Sequence, residues 1–350
     1  MYRILVLLFI SICSMDCLSI EVFLWKQFPD SVPIVMAKKE GESPKEAIDR
    51  YFKKINSTKS LNELVAKSDI QDFVDEVGEL QFQYGEFQDF KLTHERINFI
   101  VVTNELREMY TAPYNSRIQN VSARLKKYGA DVVMLPVVHD LGLNAIEAKE
   151  YRAILFQSFD ADLVLGGDDI DPYLYGEKKT YAKNPIRKRD VSELKFVRGF
   201  IEAKKGISFG ICRGHQMCAV ANGKKLYQDI QIEKDAPAHH VKGEHPILID
   251  RSSDTFSMFD YEEITVNSLH HQEVQVLDDD PDYKITAKSL DDIPVVEALE
   301  FRDGMGVTLQ FHPELMYDDI GEKILERFVL LAKRTKAQRS SCYNFIDLFR

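Results

Sequence analysis

The sequence predicts an α/β protein, a doubly wound and mostly parallel sheet with helices on both faces, preceded by a helical N-terminal extension. Three observations carry that prediction. Short apolar runs alternate with amphipathic segments from Arg96 to Lys204, the pattern of buried parallel strands joined by covering helices. The 350 residues are 45% apolar with 17 Gly and 12 Pro, a globular composition long enough for one large domain and an extension. No internal repeat or low-complexity tract interrupts it.

At the start, Arg3 precedes the apolar run Ile4 to Ile12, and small residues at Ser11, Cys13, Ser14, Cys17 and Ser19 suit a cleavage site. Residues 1–19 therefore read as a secretory signal peptide, too short for the ~20 residues a membrane-spanning helix needs. A buried first strand is the competing reading. The leader implies an exported location (periplasmic, secreted or lumenal), and without it the chain is cytoplasmic. Its removal leaves Cys212, Cys218 and Cys342, an odd number that points to at least one free thiol.

Residues 20–95 read as the helical extension. Ser43-Pro44 supplies an N-cap with proline at the first helical position, and Ile48, Tyr51, Phe52 and Ile55 recur at helical spacing. Ile70, Phe73, Val74 and Val77 repeat that period. The main domain spans 96–336. Its strands are expected at Ile97 to Val102, Asp131 to Leu135, Leu163 to Leu165 and Ile207 to Ile211. Helices are expected at Ile118 to Tyr128, Ala145 to Phe156 and Val191 to Lys204. The basic run Arg187, Lys188 and Arg189 reads as a solvated loop before the last of these.

After Gly223 strands dominate, around Ile247 to Ile249, Glu263 to Val266, Tyr283 to Ala287, Val295 to Phe301 and Gly306 to Phe311. A final helix from near Asp318 carries Ile320, Ile324, Phe328 and Leu331 on one face, and a tail at 337–350 has no clear period. The net charge of -11 repels phosphate backbones, so nucleic acid is not an expected partner.

Open parallel sheets place active sites at the carboxyl ends of their strands, which directs attention to Cys212. The run Ile207 to Ile211 passes directly into Cys212-Arg213-Gly214-His215-Gln216 and then into a helical stretch. A cysteine on such a strand-to-helix turn is exposed at the sheet edge, and the helix dipole favours its thiolate. Taken alone, the pattern fits a buried structural cysteine equally well. Gln310-Phe311-His312-Pro313-Glu314, after another apolar run, supplies a general base and a carboxylate to orient it. Acyl transfer also needs oxyanion donors. Leu165 ends a strand before Gly166-Gly167-Asp168-Asp169-Ile170-Asp171-Pro172, so the N–H groups of Gly167 and Arg213 are the two candidates. The acidic residues of that loop lack the EF-hand spacing. Neighbouring side chains on extended backbone point opposite ways, so neither His270-His271 nor His239-His240 is expected to share a metal. No cofactor or metal is expected.

Four segments together resemble the class I glutamine amidotransferase-like superfamily, and within it the peptidase C26, γ-glutamyl-γ-aminobutyrate hydrolase type. They are G-I-C-R-G-H-Q at Gly210 to Gln216, Q-F-H-P-E at Gln310 to Glu314, G-G-D-D-I-D-P-Y-L-Y-G-E at Gly166 to Glu177, and V-N-S-L-H-H-Q at Val266 to Gln272. The resemblance spans about Ile97 to Ala332 with the motifs in the family's order. It implies a flavodoxin-like fold and a Cys212, His312, Glu314 triad acting on the γ-carboxamide of a glutamyl group. It also implies substrate contacts at Gly166, Asp168, Gln216, Asn267, Ser268, His270 and His271. The implied partner is a small γ-glutamyl compound, with a homodimer allowed. A glutaminase subunit, a hydrolase of polyglutamates and a catalytically silent binding protein are the alternatives on this fold. Ala219 and Lys224 stand where close relatives carry Asn and Gly, which leaves the amine half of the substrate open.

Overall fold

The computed structural model describes residues 19–26, 31–55, 86–103 and 117–347, with side chains described as far as Arg339. The expected leader, the second helical stretch around Ile70 to Val77 and the last three residues lie outside this set.

The centre of the molecule is a twelve-stranded sheet. Its middle holds six parallel strands, in the spatial order β2 (Ile34–Lys39), β5 (Ala130–Met134), β4 (Ile97–Val102), β6 (Ala161–Val164), β7 (Ile207–Ile211) and β14 (Gly306–Leu309). Antiparallel strands extend both edges. Beyond β14 lie β13 (Val296–Phe301), β12 (Tyr283–Ser289), β9 (Gly243–Ile249) and β10 (Glu263–Ser268). Beyond β2 lie β1 (Ile20–Lys26) and β3 (Glu86–Asp89). A separate small ribbon pairs β8 (Lys225–Tyr227) with β11 (Glu273–Gln275).

The central strands are apolar at almost every position because both faces are covered. Phe99 and Val101 of β4 enter one core with Leu163, Phe209 and Phe328, whereas Ile100 and Val102 enter the other with Val164, Phe196 and Met217. This alternation is the two-residue period of a strand. The first core is roofed by α1 (Pro44–Ile55), α2 (Arg117–Lys127) and α7 (Asp319–Asp347), the second by α3 (Ala145–Ser158), α4 (Arg187–Ala203) and α5 (Arg213–Ala221). A one-turn helix, α6 (Ile230–Lys234), follows β8. No helix among the described residues is long and apolar enough to cross a membrane.

Three expectations are corrected. Among the described residues the segment after Ser19 is not wholly helical: β1 and β2 pair antiparallel and join the main sheet where Ile34 meets Met134 on β5, and α1 is helical as expected. The basic run does not form a solvated loop. It is the first turn of α4, and Arg189 is buried with its guanidinium 2.8 Å from Asp168. The final helix also runs on through the expected tail to Asp347.

Candidate active site

Adjacent parallel strands in the order β14, β7, β6 deliver three loops to one edge of the sheet. Leu309 is level with Ile211, and Gly210 with Val164. The residues just beyond them, reaching His312, Cys212 and Gly166, therefore emerge side by side at the carboxyl ends, where ligands bind in such sheets. Cys212 forms the bend between β7 and α5 at φ 54°, ψ -110°. A side chain in that conformation costs about 1–3 kcal/mol and persists only where its surroundings enforce it. Part of the enforcement is the close seating of α5 on β6. A Cβ on Gly214 would stand 2.0 Å from the Val164 carbonyl oxygen.

Gly166 is the meeting point. A Cβ there would lie 2.9 Å from His312 Cε1 and 3.5 Å from Cys212 Cβ, so only glycine leaves the ring and the thiol room beside the loop. His312 donates from Nδ1 to Glu314 Oε1 at 2.7 Å, and both side chains are buried. Burial alone would lower the imidazole's pKa. The adjoining charges of Cys212 and Glu314, with hydrogen bonds to both, overcome burial and raise it to about 10. The ring is thus held as a cation beside the sulfur at neutral pH, poised to stabilise a thiolate and later to deliver a proton. The thiol sits 4.0 Å from the carbonyl oxygen of Leu269.

The loop carrying His312 and Glu314 is clamped from two sides. Asn267 accepts from the His312 N–H at 2.8 Å and donates back to the His312 carbonyl at 2.9 Å. From α2, the Arg124 guanidinium donates to the carbonyls of Pro313, Glu314 and Met316 at 2.9–3.1 Å.

Among the expected site residues, Cys212, His312, Glu314 and Gly166 come together. Gly167 follows Gly166, and the Arg213 N–H opens α5, where the first amides of a helix have no partner within the helix. The other expected residues have partners within the protein. Asn267 positions His312, as described. Ser268 is fully buried and donates to the His240 carbonyl at 2.7 Å, and the Gln216 amide donates to Gln310 at 3.2 Å, so both bind protein. Asp168 pairs with Arg189. His270 turns inward to within 3.5 Å of Glu297, while His271 turns the other way, with Nε2 2.9 Å from Asp169 and Nδ1 3.3 Å from Asp229. The Arg213 side chain meets Glu193 at 2.7 Å and Asp190 at 2.6 Å, and Asp190 also accepts from the Asp171 N–H at 2.9 Å. This buried network fixes α5 relative to the Gly166 loop. Lys224, one of the departures from the family pattern, spends its charge on Asp280 and Asp282, each at 2.8 Å.

Sequence reasoning missed three contributors: the Leu269 carbonyl, Arg124 and Arg117. Arg117 places Nη1 3.5 Å from the position of a Gly166 Cβ. A signal existed for it, since a cation in the first turn of a helix is electrostatically misplaced unless something else uses its charge.

Comparison with known proteins shows the family of the chain. The peptidase C26 family profile matches residues 100–314. A protein of Lactococcus lactis named as glutamine amidotransferase-like, YvdE, is 32% identical over 217 residues, covering 57% of this chain and 82% of that relative. The γ-glutamyl-γ-aminobutyrate hydrolase of Escherichia coli O157:H7 is 28% identical over 163 residues, covering 42% of this chain and 60% of the relative. Among solved structures, one described as a GMP synthase component from Thermoplasma acidophilum superposes with a TM-score of 0.50 at 19% identity, covering 71% of this chain and all of that one, a likeness of fold. With a matching profile that runs from β4 to Glu314, the chain belongs to the peptidase C26 family of glutamine amidotransferase-like hydrolases.

Proposed function

We propose that this hydrolase cleaves the γ-glutamyl amide bond of a small γ-glutamyl compound through a thioester on Cys212, releasing glutamate and an amine. The observation that carries the reading is the convergence of Cys212, the His312–Glu314 pair and the glycine loop at one point on the sheet edge. In the first step the sulfur attacks the γ-carbonyl. The resulting oxyanion is received by the N–H groups of Gly167 and Arg213. The His312 cation then protonates the departing amine, and the neutral ring takes a proton from the water that hydrolyses the thioester. Glu314 holds the ring's orientation throughout.

Arg117 supports a glutamyl substrate. Its guanidinium beside Gly166 places positive charge next to the reacting carbonyl, the sign that suits the α-carboxylate of a γ-glutamyl group. Incubation with an electrophilic glutamine analogue should label Cys212 alone, read by peptide mass spectrometry. An unlabelled Cys212 in folded protein would make the chain a silent binder. A panel of γ-glutamyl amides with amines of different size, scored by glutamate release, then identifies the leaving group. Exclusive use of glutamine, increased by a partner protein, would instead assign a glutaminase role.

A further inference from the structure

We propose that His240, His270 and Glu297, with His245 beside them, form a binding site for one divalent transition-metal ion of the Zn²⁺ class. The four residues come from four places in the fold: the turn before β9, β9 itself, the loop after β10, and β13. All are buried, Glu297 and His240 completely. Ligating atoms of His240, His270 and Glu297 all lie within 4.8 Å of one another.

The directions of the rings are the main evidence. His240 donates from Nε2 to Asp291 at 3.0 Å, and His270 from Nδ1 to the Gln272 carbonyl at 3.1 Å. Each ring has committed its N–H outward, so in the neutral imidazole the inner nitrogen carries a lone pair. Those inner atoms, His240 Nδ1 and His270 Nε2, each face Glu297 Oε1 at 3.5 Å and have no hydrogen-bond partner among the described residues, and Glu297 Oε2 has none either. Lone pairs aimed at a carboxylate repel unless a cation lies between them. An outer N–H held by a carboxylate or a carbonyl is also how metal-binding histidines are oriented. The spacing agrees. Zn–N and Zn–O bonds near 2 Å in a tetrahedron put ligand atoms roughly 3.3 Å apart. His245 Nε2 is hydrogen-bonded to the same oxygen at 3.1 Å, and a bound ion would take that nitrogen as fourth ligand in place of its proton.

His239 joins His240 only at Asp291, where both Nε2 atoms are within hydrogen-bond distance, and His271 faces away toward Asp169. The site takes one ring from each neighbouring pair. It would also brace the catalytic edge, because Leu269 and Asn267, which contact Cys212 and His312, lie within three residues of His270. The ion holds the loop and takes no part in the hydrolytic step.

The test uses the full chain, stripped with a chelator and titrated with Co²⁺ and then Zn²⁺. Expected are one equivalent per chain, the intense visible bands of four-coordinate Co²⁺, and X-ray absorption showing nitrogen and oxygen ligands without sulfur. Cys212→Ala should bind as wild type does, while Glu297→Gln and His240→Ala should lose the bands. Absence of stoichiometric binding by the folded wild-type chain overturns the site. So does a sulfur ligand, or binding that survives both variants. The wild-type measurements suffice where a variant fails to fold.

Discussion

Among the described residues, two buried histidine–carboxylate constellations are joined through the short segment from Asn267 to His270, and they are wired in opposite senses. At the sheet edge, Glu314 takes the outer nitrogen of His312 and leaves the ring's far side to a sulfur. Around Glu297, outer partners take one nitrogen of His240 and one of His270, and the inner nitrogens face a carboxylate. The first arrangement stores a proton that can be given away. The second has room for a cation that stays. Residue types alone do not distinguish them, since both read as histidine near glutamate. What differs is the chemical group opposite the second nitrogen.

Removing the group opposite His312 is the most severe way to break the contrast. Cys212→Ala should lower hydrolysis by about 10⁴-fold or more, with far-UV circular dichroism and metal uptake after chelator stripping unchanged. The same variant should let the His312 pKa fall from about 10, because the sulfur's charge helps hold it up. Imidazole NMR reads that shift. Activity equal to a tenth of wild type would remove Cys212 from the chemistry.

Glu314→Gln keeps shape and removes charge. Turnover should drop about 10³-fold, and the alkaline limb of kcat/KM should move to lower pH. The sign follows from the raised pKa: the cation is present below about 10 and lost above it, and Glu314 is one of its supports. An unmoved limb would show that Glu314 orients the ring without stabilising its charge.

Asp162 is a buried carboxyl on β6, level with Ser208 on β7. Burial raises its pKa from 3.8 to about 8. A carboxyl with a raised folded pKa favours the native state fully below its unfolded pKa, and that contribution fades as pH rises through about 8. Asp162→Asn should therefore stabilise the protein by up to about 4 kcal/mol at pH 7, with the gain shrinking toward pH 4. Thermal melts across that range check it. This carboxyl marks what the other two sites would cost without their rings.

The parts legible in the sequence were those with a local physical signature. Ile97 to Val102 is buried at every position, so β4 could be read as a nearly unbroken apolar run. Cys212 and His312 could be placed because each directly follows such a run. β1 was not legible, since Ile20–Lys26 mixes Glu21 and Lys26 with Trp25 and joins the sheet through β2. The directions of Asn267, Ser268, His270 and His271 were not legible either. A motif announces proximity, but on extended backbone each step of one residue reverses the face, and only packing decides which face meets substrate. Arg189 failed for a related reason, because its charge is answered by Asp168 from a distant loop.

His271 sharpens the contrast with the smallest expected effect. It is a third wiring, with carboxylates at hydrogen-bond distance on both sides, Asp169 at 2.9 Å and Asp229 at 3.3 Å, so a protonated ring is satisfied at both nitrogens. Burial pulls its pKa down, but the hydrogen bond and charge of Asp169, aided by Asp229, leave it raised above the ordinary value. The stabilisation is therefore complete below the unfolded pKa of roughly 6.5 and is lost as pH rises through the higher folded value. His271→Gln should cost about 1 kcal/mol at pH 6 and close to nothing at pH 10, measured by urea unfolding at both. A cost that does not change with pH would mean the ring is neutral, and two carboxylates would then be facing an imidazole that cannot donate to both. His240 also lies between two carboxylates, but its inner nitrogen stands 3.5 Å from Glu297, beyond hydrogen-bond geometry. The pH response of His271 thus separates a ring held between two carboxylates by its own proton from one that needs a metal ion to be there.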